Sequence, residues 1–174
     1  GDDGTVRYGE RGLVGYRWYE SRHLDVAFPF GHGLSYTTFD IGTPELSDVA
    51  HRGGGRTTVS IPVTNTGTRS GSEVVQLYVE AGPRPVFRAP KELKAFAKVA
   101  LAPGETAVVH LELDDRSFAR WSEGDPTYAA LLERQSTDAA WMPPQANVDP
   151  RGWIVDPGTY RLHLGRSSAD VEHI

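Results

Sequence analysis

The chain has 174 residues, 39% hydrophobic and 24% charged, with a formal charge of -5; this is the composition of a folded globular chain, not of a disordered one. The acidic balance leaves no basic footprint for a nucleic acid or an anionic membrane, and the absence of cysteine removes disulfide scaffolds, thiol nucleophiles and Cys-ligated metals. No apolar run reaches the roughly 18–20 residues of a membrane span, so the expectation is a soluble protein, cytoplasmic or secreted.

In chain order, residues 1–36 come first. They are rich in glycine and in aromatics (Tyr8, Tyr16, Trp18, Tyr19, Phe28, Phe30, Tyr36) and follow neither a period of 2 nor one of 3.6. An irregular arm with so much aromatic surface is expected to lie against something apolar, because each buried ring removes roughly 150–250 Å² from water. The start, Gly1-Asp2-Asp3-Gly4, has neither the basic region nor the apolar core of a signal peptide. Without an initiator Met, the chain is expected to be a fragment or a processed product.

Residues 57–65 alternate, with Val59, Ile61 and Val63 on one side. They predict a half-buried strand, and Pro62 within it predicts an edge or a bulge. Asn65-Thr66-Gly67 reads as a turn. Residues 73–80 form a second strand, with Val75, Leu77 and Val79 facing a core. Val74 and Tyr78 are apolar on its other face, which is therefore expected to be covered. The basic residues of 84–98 (Arg88, Lys91, Lys94, Lys98) read as a solvated face. Pro103-Gly104 fits a type II turn and leads into a third strand at 105–113, with Val109, Leu111 and Leu113 inward. Asp114-Asp115 reads as a solvated transition out of that strand.

Residues 122–152 break the rhythm and are expected to be an insertion. Asp125 and Pro126 mark the N-cap and first position of a helix over 127–134. A last strand follows Pro157-Gly158 at 160–164. Short alternating strands between Gly/Pro turns predict an all-β antiparallel sandwich of the fibronectin type III or immunoglobulin kind. The units expected are an arm at 1–36 and a sandwich at 37–174.

Motifs that carry chemistry do not emerge from the residues. The six histidines have no partners at metal-ligand spacing, so no metal is assigned. His32, flanked by Gly31 and Gly33, is read as a turn residue bonding nearby backbone, the alternative being close approach to a ligand. There is no nucleophile elbow, dinucleotide fingerprint or phosphate loop, and no cofactor is expected. Asp114 and Asp115, adjacent on an extended chain, point to opposite sides and cannot flank one bond as a glycosidase pair does.

The strings VGYRWYE (14–20) and FPFGHGLSYTTF (28–39), with VTNTGTRSGSEVVQLYV (63–79), APKELKAFAKVALAPGET (89–106) and DPGTYRLHLGRSS (156–168), closely resemble the C-terminal part of glycoside hydrolase family 3, the β-glucosidase-like enzymes. In that family a barrel domain supplies the carboxylate nucleophile and an α/β domain the acid/base, and a fibronectin type III-like domain closes the chain. The resemblance implies that residues 1–36 are the tail of the preceding α/β domain or an interdomain arm, and that the remainder is the closing domain. Neither catalytic motif has a matching position, so no catalytic residue is carried over. The implied partners are the N-terminal catalytic domains and, for the parent enzyme, an oligo- or aryl-glycoside substrate. Interdomain contacts are expected from Tyr16, Trp18, Phe28, Phe30, His32, Val74 and Tyr78. The alternative is a free-standing carbohydrate-binding module using exposed aromatics, with Trp141 as the candidate platform and Trp121 or Trp153 beside it.

Overall fold

The structure, a computed structural model, describes residues 4, 6, 9–10, 12–83, 87–124 and 151–173. The helix expected at 127–134 and the candidate Trp141 lie outside the described residues.

Two antiparallel sheets face each other. In the first, β3 (Thr57–Asn65) pairs along one edge with β6 (Thr106–Leu113) and along the other with two short strands, β1 (Phe39–Ile41) and β2 (Glu45–Leu46). The second has the order β10-β9-β4-β5, with β4 at Gly71–Ala81, β5 at Glu92–Leu101, β9 at Tyr160–Gly165 and β10 at Val171–His173. Period-2 alternation places Val59, Ile61 and Val63 of β3 and Leu111 and Leu113 of β6 in the core. They meet Val75, Leu77 and Val79 of β4 and Leu162 and Leu164 of β9. Each such side chain contributes about 1.5–3 kcal/mol on burial, so this interdigitated layer is what holds the sheets face to face.

Pro62 does not mark an edge, because β3 is paired on both sides. Its carbonyl accepts a hydrogen bond from the Gly42 amide at 2.9 Å. An extended residue directs its amide and carbonyl to the same side, so the missing N–H faces the break between β1 and β2. The interruption of the neighbour makes the proline tolerable in mid-strand. The Pro103-Gly104 turn forms as expected, with Gly104 at φ 74 and the Glu105 amide donating to Ala102 O at 3.1 Å.

The basic stretch is not a solvated face. From residue 92 it is β5, paired with β4 along its length, with Lys94 left opposite the register shift between Leu77 and Tyr78. Arg88, Lys91 and Lys94 are largely buried and ion-paired; Lys98 is exposed. Asp114 and Asp115 are not a solvated transition either. Asp114 caps a four-residue helix, α2 (Asp115–Phe118), accepting from the Ser117 amide at 3.0 Å. Asp115 accepts from the Gly54 amide at 2.7 Å and lies 2.6 Å from His51 Nε2, tying the 47–56 loop to the sandwich.

A two-stranded ladder pairs β7 (Arg120–Glu123) with β8 (Arg151–Ile154). Trp121 and Trp153 pair across it edge to face at 5.3 Å, each about half exposed. At its base Arg120 grips the buried Asp156 with two nitrogens, at 2.8 and 3.2 Å. Asn65, read only as a turn residue, is fully buried and makes four hydrogen bonds that join three segments. Its amide nitrogen donates to Arg69 O and Leu101 O, and its oxygen accepts from Thr37 Oγ1 and the Gly67 amide.

Candidate functional site

The outer face of the second sheet carries Gln76 and Tyr78 on β4 and His163 on β9, with Tyr78 opposite His163. These are polar-face positions by alternation, yet all three are buried. Over Gln76 and Tyr78 the cover is the N-terminal arm of the same chain. A short helix, α1 (Tyr16–Ser21), sets Tyr16 on the sheet. The Tyr16 ring stacks on Phe30 at 4.7 Å and meets Tyr78 edge-on at 5.9 Å, and its hydroxyl accepts from the Leu93 amide at 2.8 Å. Tyr78 donates its hydroxyl to Gln76 Oε1 at 2.6 Å. Gln76 Nε2 in turn donates to the carbonyls of Gly31 and Arg166. The Ser168 amide closes the clasp on Phe30 O at 2.8 Å.

Ion pairs fasten the other end of the arm. Glu92 of β5 receives Arg17 at 3.0 Å, Lys94 at 3.0 Å and Arg88 at 3.4 Å, and Lys91 reaches Glu20 of α1 at 2.8 Å. Burial alone raises the Glu92 carboxyl, but Lys94, Arg88 and Arg17 outweigh it and hold the group below the ordinary glutamate range. Burial pushes the phenols of Tyr78 and Tyr16 up, Tyr78 by far the more, so both stay neutral under the arm.

The sequence-derived contact residues therefore divide. Tyr16 meets both Phe30 and Tyr78. Trp18 is half-buried beneath the Arg22 guanidinium, 4.7 Å from its ring, and Val74 is half-buried on β4. Phe28 and His32 stack on each other at 5.2 Å and are exposed. The arm also carries exposed apolar residues, Leu24, Val26, Phe28, Leu34 and Tyr36, the last two 93% exposed. Sequence reasoning missed Gln76, Glu92 and Arg88; the one available signal was an uncharged polar residue set between apolar neighbours on β4.

No group of three His, Asp or Glu side chains is arranged to hold a metal among the described residues. None of the helices described is long and apolar enough to cross a membrane.

A sandwich of two antiparallel sheets is the architecture of fibronectin type III-like domains, and residues 73–130 match the fibronectin type III-like domain family. Over 171 residues, 98% of this chain, it is 38% identical to an exo-alpha-(1->6)-L-arabinopyranosidase of Bifidobacterium breve and 36% identical to thermostable beta-glucosidase B of Acetivibrio thermocellus. The crystal structure of the GH3 beta-glucosidase of Bifidobacterium adolescentis superposes with a TM-score of 0.74 at 36% identity, over 94% of this chain and 20% of that one. Beta-glucosidase 3B of Thermotoga neapolitana gives 0.73 at 32%, over 95% and 19%. The chain corresponds to the C-terminal, fibronectin type III-like region of glycoside hydrolase family 3 β-glucosidases. It spans 19% of the length of the curated relatives just named. A free-standing carbohydrate-binding module is not favoured by these matches.

Proposed function

We propose that this chain is the non-catalytic closing portion of a retaining β-glycosidase of β-glucosidase type, and that its arm seats the catalytic domains. Exposed apolar side chains gathered in one segment mark an interaction site, and those of residues 24–36 carry the reading. Its occupant is the rest of the same polypeptide, since the relatives are about five times as long as this chain. On this reading Tyr16, Phe30 and Tyr78 hold the arm in shape, while Phe28, Leu34 and Tyr36 meet the neighbour.

Glycoside hydrolysis by such a parent needs two carboxylates flanking the scissile bond. They belong to the preceding domains, and this chain contributes stability and a fixed arrangement of those domains. The parent's substrate is an oligo- or aryl-glycoside, and this chain shapes access to it; the named relatives include both a glucosidase and an arabinopyranosidase. Nitrophenyl β-glycoside hydrolysis tests the proposal. The native polypeptide is expected to turn over at least one such substrate, and the 174-residue chain alone none. Turnover by the chain alone that disappears when its own carboxylates are substituted overturns the assignment.

A further inference from the structure

His163 poses a problem that the arm does not solve. Its side chain is 7% exposed and its Nε2 lies 2.6 Å from Glu80 Oε2. Its Nδ1 is buried without a hydrogen-bond partner. An unpartnered buried nitrogen of this kind costs free energy and calls for a function or a ligand. Directly opposite on β10, in register, stands His173, an exposed residue whose ring centroid is 4.6 Å from that of His163.

We propose that His163 and His173 together bind a divalent transition-metal ion, Cu2+ most tightly. Three observations converge. An imidazole nitrogen sits about 2.0–2.1 Å from its metal, which sets two ligating rings at a right angle roughly 4.5–5 Å apart between centroids; the pair is already at that spacing. With Nε2–H donated to Glu80, the lone pair is on Nδ1, the atom left unbonded. A carboxylate behind a histidine is also the usual outer partner of a metal-ligating imidazole, fixing its tautomer and raising its basicity. Two neutral imidazoles favour the late first-row ions, with Cu2+ above Ni2+ and Zn2+. No third His, Asp or Glu among the described residues joins them, so solvent completes the coordination sphere.

The site is independent of the glycosidase reading, since it uses strands at the far edge of the second sheet and none of the arm's exposed residues. Cu2+ titrated into the native polypeptide, followed by calorimetry and by electron paramagnetic resonance, tests it. The expected result is one tight site per chain with hyperfine coupling to two imidazole nitrogens. His173→Ala is expected to weaken that site at least tenfold and remove one nitrogen, and Glu80→Gln to weaken it about 10–100-fold. His23→Ala and His32→Ala leave it intact. Unfolding curves of each variant without metal separate loss of the ligand from loss of the fold, and His173, exposed on the last strand, is the safe substitution. Binding unchanged by His173→Ala, or a spectrum without a second nitrogen that depends on His173, overturns the proposal.

Discussion

Gly31 is the point at which the arm is keyed to the sandwich, and Gly31→Ala measures how firmly. Its φ of +82 is a left-handed conformation that costs an L-residue about 1–2 kcal/mol. A Cβ there would meet Gln76 Oε1 at 2.3 Å and Nε2 at 2.4 Å. A glutamine end on the surface would swing away cheaply. This one is buried and engaged by Tyr78, Gly31 and Arg166, so moving it sacrifices hydrogen bonds worth about 0.5–1.5 kcal/mol each. The combined penalty is about 2.5–6.5 kcal/mol. It falls on docking of the arm before it falls on the sheets, because the core side chains of Val75, Leu77 and Val79 lie on the opposite face of β4. The assay is native-state amide exchange at Leu93 and Ser168, whose N–H groups are bonded to Tyr16 Oη and Phe30 O. Their exchange is expected to accelerate at least about thirtyfold, the factor for roughly 2 kcal/mol, while Ile61 and Leu111 change little. Gln76→Ala in the same chain relieves the clash and is expected to be non-additive with Gly31→Ala. Unchanged exchange at both reporter amides in Gly31→Ala refutes the reasoning.

Three further outcomes follow from the polar groups of the fold. Asp156→Ala leaves Arg120 without its buried carboxylate and is expected to lower unfolding free energy by about 3–5 kcal/mol in denaturant melts. Asn65→Ala removes its four hydrogen bonds, two of them to the carbonyls of Arg69 and Leu101, and is expected to cost about 2–4 kcal/mol by the same measurement. The pH profile of stability has two limbs of opposite origin. Asp114 is depressed by its bonds to Ser117, and Asp115 by the Gly54 amide and then His51. Their contribution is complete above about pH 4 and is lost as pH falls through the lower folded values; Asp114→Asn makes that acid limb shallower. Tyr78 and Tyr16 are raised by burial, so their contribution is complete below about pH 10 and is lost as pH rises above it. Tyr78→Phe makes that alkaline limb shallower.

The strands legible in the sequence are those whose alternation is strong and long. β3, β4, β6 and β9 each place branched or large apolar residues at every second position, and each was delimited to within a few residues. β5 escaped because its half-buried inward positions are Ala95, Ala97 and Val99, against Phe96 and Lys98 outside. Alanine gives little contrast, and the lysines dominate the string. β1, β2 and β10 are two or three residues long, too short to carry a period. Covering of the Tyr78 face was legible from its apolar second side, but the identity of the cover was not. It depends on Tyr16 and Phe30, some fifty to sixty residues away, and on Gly31 fitting against Gln76. For Lys91 the burial was hidden for the same reason, its partner Glu20 lying 71 residues away; Arg88 and Lys94 meet Glu92 locally, and the distant member of that cluster is Arg17.

The central claim is that the arm's exposed apolar residues seat the preceding catalytic domains. Hydroxyl-radical footprinting of the native polypeptide tests it most directly, with Phe96 of β5 as the internal reference for exposed aromatics. Tyr36 is 93% exposed in this chain and Phe96 67%. After correction for intrinsic reactivity, labelling of Phe28, Leu34 and Tyr36 is expected to be strongly suppressed relative to Phe96. Labelling of Tyr36 as fast as that of Phe96, in a polypeptide that hydrolyses β-glycosides, contradicts the account.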